Sequence, residues 1–291
     1  MAETTDAARE LAALIDRMRA FDASGGQPGH TAPNWDVMSR GLGLAAGSPD
    51  FIEALSAVRG RIERLREFAS GLSDPTVGRD VTQHVLEAID RFAGVLNPQF
   101  MNTEWNHTIK HYLTAGDATT LRMYSPIVVR YRPLRSLTDA ERSDALNQIS
   151  EALADLNEAD DLDHWERQAL SHGYRRLQLV LRYFEFFGHE GISQELVSVA
   201  SATKAVEAKL QPTSRTLKRA WAALATAARI VEVVAAPSVA HQAGLDYYQT
   251  AQQLIAMAPA PKLLTGPSGP EAPSAPEECI AAEPNADNPT P

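Results

Sequence analysis

Cysteine occurs once in the 291 residues, at Cys279, so no intramolecular disulfide, cysteine-built zinc cage or Cys-x-x-Cys redox pair forms within the chain. That usage points to a reducing, cytoplasmic setting. Lysine is nearly as scarce, at five of the 27 basic residues, a skew that by itself carries no function. Long apolar runs are missing as well. The opening MAETTDAARELAALIDRMRA is interrupted by Arg9, Glu10, Asp16 and Arg17, which excludes the apolar stretch of a secretory leader. The most apolar later segment, 221–236, carries Arg229 and Glu232 and stops at Pro237, too short and too charged for a membrane span. Finally, cations are outnumbered: 27 basic against 37 acidic residues give a net charge of −10, which disfavours sequence-independent binding along a phosphate backbone.

Apolar side chains make up 44% of the chain, enough for a sizeable core, and their spacing is helical. Nothing alternates with period two for long enough to form a sheet. The expected fold is therefore all-α, a multi-helix bundle of about eight to ten helices with an N-terminal helical hairpin, an α-solenoid being the alternative architecture.

Four segments follow from the punctuation. Residues 1–47 hold one amphipathic helix, capped by Thr5 or Asp6 and carrying Leu11, Leu14, Ile15, Met18 and Phe21, then a Gly/Pro-rich loop. Residues 48–97 predict the antiparallel hairpin. Ser48 caps, Pro49 suits the first turn, and Phe51, Leu55, Val58, Ile62, Leu65, Ala69 and Leu72 alternate four and three. After Asp74 and Pro75 the second helix carries Val77, Val81, Val85, Ala88, Phe92 and Val95.

Residues 98–258 predict the main bundle. A helix opens at Asn102 or Thr103 and closes at Gly116, and Asp117 caps a short one; Ser125 and Pro126 then start either another helix, broken at Arg132, or an extended connector, the helix being favoured. Thr138 and Glu141 form a capping box. The acid-rich NEADDLD opens a long helix with Leu162, Trp165, Ala169, Leu177, Val180, Leu181, Phe184 and Phe187, running to Gly188. Helices over 193–210, 213–235 and 238–258 follow. Residues 259–291 hold nine of the eighteen prolines, five acids and one lysine, a composition expected to stay disordered, with Cys279 an incidental thiol inside it.

Three sets of residues are candidates for chemistry. Glu104, His107 and His111, in EWNHTIKH, place a carboxylate and two imidazoles within about 60° of one another on a helix, a metal-ligating pattern. They fall opposite the Trp105, Ile109, Tyr112 stripe, and the second Glu-x-x-His of a di-metal bundle is lacking, so no cofactor is implied.

Arg79 and His84 are the second set. The segment RDVTQH resembles the Arg-x(4 to 6)-His signature of the HEPN ribonucleases, which are all-α; RQALSH (Arg167, His172) and RYFEFFGH (Arg182, His189) share the spacing. The resemblance covers six residues. It implies metal-independent RNA cleavage, with the Arg79 guanidinium stabilising the phosphorane and His84 acting as general acid or base. An unbroken helix turns the two about 140° apart, and enzymes of that family commonly complete the site across a dimer.

The third set is basic and aromatic: Arg122, Tyr124, Arg130, Tyr131, Arg132 and Arg135, with Tyr174, Arg175, Arg176, Arg182 and Tyr183 further on. Lys209, Arg215, Lys218, Arg219 and Arg229 form a second basic run. Arginine and tyrosine together hold phosphates and stack bases, and they equally clamp acids of the same chain or of a protein partner, the reading that the net charge favours. The Phe184, Phe186, Phe187 cluster is expected in the core.

With no nucleophile elbow, triad or zinc spacing, the functional expectation is an interaction or scaffold protein acting through protein–protein contacts. It binds a partner or itself through the heptad seam (Leu55, Ile62) and through Arg130, Arg132 and Arg135, with nucleic acid as the other partner class. A HEPN-like ribonuclease and a bundle metalloprotein are the alternatives.

Overall fold

A computed structural model describes residues 4–23, 32–74, 77–207 and 215–230. The chain divides into two compact units, 1–258 and 259–291, and every described residue belongs to the first. The expected helix over 238–258 and the Pro-rich tail lie outside the described residues.

The fold is all-α, with ten α-helices among the described residues: α1 (Ala7–Arg19), α2 (Asn34–Leu42), α3 (Pro49–Gly71), α4 (Arg79–Gly94), α5 (Trp105–Tyr112), α6 (Ala115–Tyr131), α7 (Asp139–Glu158), α8 (His164–Arg182), α9 (Phe184–Glu207) and α10 (Arg215–Ile230). Two short strands, β1 (Thr4–Thr5) and β2 (Leu134–Arg135), pair antiparallel. Among the described residues no helix is long and apolar enough to cross a membrane.

Side-chain caps start five of the ten helices, α1, α3, α6, α7 and α8. Asp6 accepts from the Ala8 and Arg9 amides at 2.8 and 3.1 Å and starts α1. The Ser48 hydroxyl accepts from the Phe51 amide to start α3, with Pro49 in the first turn. Thr138 with Glu141, and Asp163 with Glu166, form reciprocal capping boxes. α6 continues through Ser125 and Pro126, where a separate start is expected from the sequence, and its cap is Thr114 rather than Asp117. Asp117 is instead buried inside the first turn, where Arg91 donates to it from Nε and Nη2 at 2.9 and 2.7 Å.

α3 and α4 pack as the expected hairpin, but α1 and α9 also lie on α3. Residues from 1–47, 48–97 and 98–258 contribute to one continuous core. α9 joins the two halves of the body, touching α1 and α3 on one side and α8 and α10 on the other.

Three elements differ from expectation. α2 has no counterpart in the sequence reading; Asn34 anchors it by donating from Nδ2 to the Phe100 carbonyl at 2.7 Å. Val81, assigned to the apolar stripe of α4, is 46% exposed because α4 starts only at Arg79 and its first turn stands beyond the packed seam. The long helix expected to run to Gly188 ends instead at Arg182. α9 begins two residues later and is itself kinked at Gly188, whose φ is 64°.

Candidate functional site

The capping box at Asp163 fixes the phase of α8, and Leu170, Tyr174, Leu177 and Leu181 bury its inner face. Trp165 stands five residues before Leu170, about 140° around the helix, and so falls on the opposite side. The sequence reading placed Trp165 and Ala169 in the apolar stripe; both are exposed, Trp165 to 76%. With His164, Gln168, His172 and Arg175 they form the outer face of α8 and line an open cleft of about 480 Å³.

No acid lines this cleft, in a chain with 37 of them. The His164 ring leans edge-on against Trp165, with centroids 5.8 Å apart. His172 and Arg175 have no hydrogen-bond or ion-pair partner among the described residues. Beneath them, the Ser171 hydroxyl and the Arg167 Nε are buried and also lack a partner among the described residues. Arg167 Nη2 is occupied, donating to the Ala159 and Leu162 carbonyls. The cleft therefore offers the Trp165 ring and the unpaired Arg175 guanidinium to an incoming surface.

A second polar cluster is internal. Arg61, only 3% exposed, donates from Nη1 to the Glu185 and Phe186 carbonyls at 2.7 and 3.1 Å, and from Nη2 to Glu10 at 2.8 Å. His189 bonds the other Glu10 oxygen through Nδ1 and packs edge-on against Phe184. Burial pushes the Glu10 carboxyl up, but His189 and Arg61 outweigh it and hold it below the usual carboxylate range. A cleft of about 300 Å³ opens above the cluster, and its remaining charges, Arg17 and Glu185, pair at 2.9 Å. Arg61, Glu10, Arg17 and Glu185 all pair inside the chain, which makes the cluster a clamp on the α9 kink. Local patterns gave no sign of it, since Glu10, Arg61 and His189 are far apart in sequence.

The other sequence candidates fall as follows. Leu55 and Ile62 are buried in α3, which packs against α4, α9 and α1, so these two seam residues present no surface to a partner. Arg130 pairs with Asp74 at 3.3 Å, beside the Tyr131 hydroxyl, which donates to the same carboxylate at 2.8 Å. The Arg132 guanidinium sits 5.2 Å above the Phe68 ring, and Arg135 pairs with Glu141. Arg122 pairs with Asp16, Arg176 with Glu53 and Glu195, and the Tyr174 hydroxyl donates to the Ala220 carbonyl. Arg122, Arg130, Arg135 and Arg176 of the Arg/Tyr cluster thus clamp acids of their own chain, while Arg175 does not.

Arg79 and His84 are exposed on the first turns of α4, and His84 Nδ1 lies 2.6 Å from the Asp80 carbonyl. The His107 and His111 rings lie 4.3 Å apart, tilted by 42°, on the outside of α5, and Glu104 precedes that helix as its cap residue. Among the described residues no three His, Cys, Asp or Glu side chains are grouped to hold a metal ion, these included. In the second basic run, Lys209 lies outside the described residues and Arg219 pairs with Asp155. Comparison with protein-family models, with curated proteins and with solved structures finds no match for the chain.

Proposed function

We propose that the protein is a helical interaction module that binds a protein partner through the outer face of α8. The observation that carries this reading is Trp165, 76% exposed in an open cleft beside an unpaired Arg175, on a helix whose other side is locked into the core. Tryptophan and arginine are the residue types that dominate protein–protein binding energies, most strongly where a rigid scaffold presents them. The single cysteine accords with a cytoplasmic setting for that partnership. The test is capture from the native host by the tagged full chain. Trp165→Ala is expected to keep its far-UV circular dichroism while losing at least about tenfold in partner recovery; undiminished recovery overturns the reading.

A second reading, RNA cleavage by Arg79 and His84, has one observation in its favour. A His84 Nδ1–H donated to the Asp80 carbonyl leaves Nε2 as an acceptor facing solvent, the tautomer a general base needs. His84→Ala is then expected to abolish cleavage of single-stranded RNA by a folded protein, and an inert wild type overturns the idea.

A further inference from the structure

We propose that the α8 cleft is an oxyanion site and that the group a protein partner seats in it is a phosphoryl ester, an inference that rests on reading α8 as the contact face. Two rows of donors run along the helix. Arg167, Ser171 and Arg175 succeed one another at four-residue steps, and His164, Gln168 and His172 do the same about 60° further round. All six line the cleft, and Asn157, in the last turn of α7, adds an amide. Each of these side chains carries an N–H or O–H donor, and none carries a carboxylate.

Charge selects the ligand. Arg167 directs Nη2 to backbone carbonyls and Arg175 has no polar partner, so neither guanidinium pairs with an acid among the described residues. A phosphoryl ester brings three acceptor oxygens and nearly two negative charges to those two cations, where a carboxylate brings one charge. The Ser171 hydroxyl is the second observation. The residue is 6% exposed, lies in the cleft wall, and its hydroxyl bonds nothing among the described residues, like the Arg167 Nε one turn before it. Buried donors without an acceptor are costly, and an oxyanion lodged against this row supplies one. A single side-chain torsion turns the hydroxyl toward such a ligand, with no movement of the helix.

The cleft is open and does not enclose most of a small free molecule as ligand pockets do, which favours a group carried on a larger surface. Glu158, Asp160 and Asp161 are exposed where the chain enters α8. They repel a run of phosphates along a nucleic-acid backbone, whereas one phosphoryl group near Arg175 stands clear of them. Trp165 is left to cover apolar side chains that flank the ester.

The probe is phenyl phosphate, titrated calorimetrically into the full chain at about pH 7.5, where the ester is a dianion. Binding is expected with a dissociation constant of about 1 mM, and benzenesulfonate, similar in shape with a single charge, should bind at least about tenfold more weakly. Arg175→Ala and Ser171→Ala, checked for unchanged circular dichroism, should each weaken phenyl phosphate at least about tenfold. Ser171→Ala should also melt no lower than the wild type, because it removes a buried hydroxyl that the fold leaves unbonded. A serine with a structural role alone gives the reverse, a lower melting temperature and an unchanged titration. Arg182→Ala, exposed on the same helix but outside the cleft, should bind like the wild type.

No heat of binding up to about 20 mM phenyl phosphate overturns the proposal. Equal affinity for benzenesulfonate does so too, as does a loss in Arg182→Ala as large as that in Arg175→Ala. The source of the ester is read by dephosphorylating half of a native-host lysate before capture with the tagged full chain. Trp165-dependent recovery is expected from the untreated half alone; recovery that survives dephosphorylation overturns the partner-borne ester and leaves the cleft to a free phosphate. The two readings fail separately. If phenyl phosphate does not bind, Trp165-dependent capture still upholds the interaction module; if nothing is captured, the module falls and the protein source of the ester with it.

Discussion

A methyl group added at Gly188 would lie 2.6 Å from Arg61 Nε and 2.8 Å from a Glu10 oxygen, on a backbone whose φ of 64° already disfavours any side chain. Gly188→Ala is expected to destabilise the protein by roughly 2–5 kcal/mol, the left-handed backbone and the overpacking adding together; urea denaturation measures it. Glu10 predicts a pH dependence. Its carboxyl is held below the usual range in the folded chain, so its contribution is fully present above the ordinary carboxylate range and is lost as pH falls through the lowered value. Glu10→Gln leaves Arg61 buried without a counter-charge and should cost about 3–5 kcal/mol near pH 7. It should also flatten the acid limb of the stability profile, a change read by thermal melts from pH 7 to pH 3. An acid limb identical to the wild type's would show that the clamp does not titrate.

Individual elements reveal why some of this was legible and some was not. Caps are local: Ser48, Thr138 with Glu141, and Asp6 act within four residues, and each starts its helix where the sequence indicates. The α3/α4 hairpin was equally readable from heptad spacing across a short turn. What covers a seam is not local. Leu55 and Ile62 look the same whether their own chain or a separate partner covers them, and only the fold decides for the former. Leu55→Ala and Ile62→Ala are therefore expected to cost about 2–5 kcal/mol each as core cavities. Partner capture below the melting point should be unchanged, a pairing of results that an exposed seam would not give.

α2 was missed because its short apolar set, Val37, Met38 and Leu42, follows a Gly/Pro-rich stretch whose punctuation dominates the reading. Trp165 illustrates the opposite error, an apolar residue assigned to the core by type when its phase about α8 sets it outside. At the site, the residue types on α8 were visible in the sequence, Arg175 among the basic–aromatic set. Their freedom from intramolecular partners was not, since ion pairing such as Arg176 with Glu53 spans 123 positions.

Across the whole molecule, one core reaches from Ala8 in α1 to Ala227 in α10, without a seam where the sequence was divided. Such continuity predicts a shared unfolding transition for the body. Leu14→Ala in α1 and Leu177→Ala in α8 should lower the same midpoint, followed by far-UV dichroism and by tryptophan fluorescence, and two separated transitions would contradict it.

The clamp on α9 also fixes an order of events during synthesis. Glu10 emerges early from the ribosome, and its partner His189 lies 179 residues behind it. At typical elongation rates that interval lasts about 10–40 s. Throughout it Leu11, Leu14, Ile15 and Met18 have nothing from α9 to lie against. α6, which packs most closely on α1, is complete at Tyr131, so the apolar face of α1 is covered well before then; what waits for the later half of the chain is the clamp alone, and until α9 arrives the Glu10–Arg61 pair lacks the carbonyls and the imidazole that hold it.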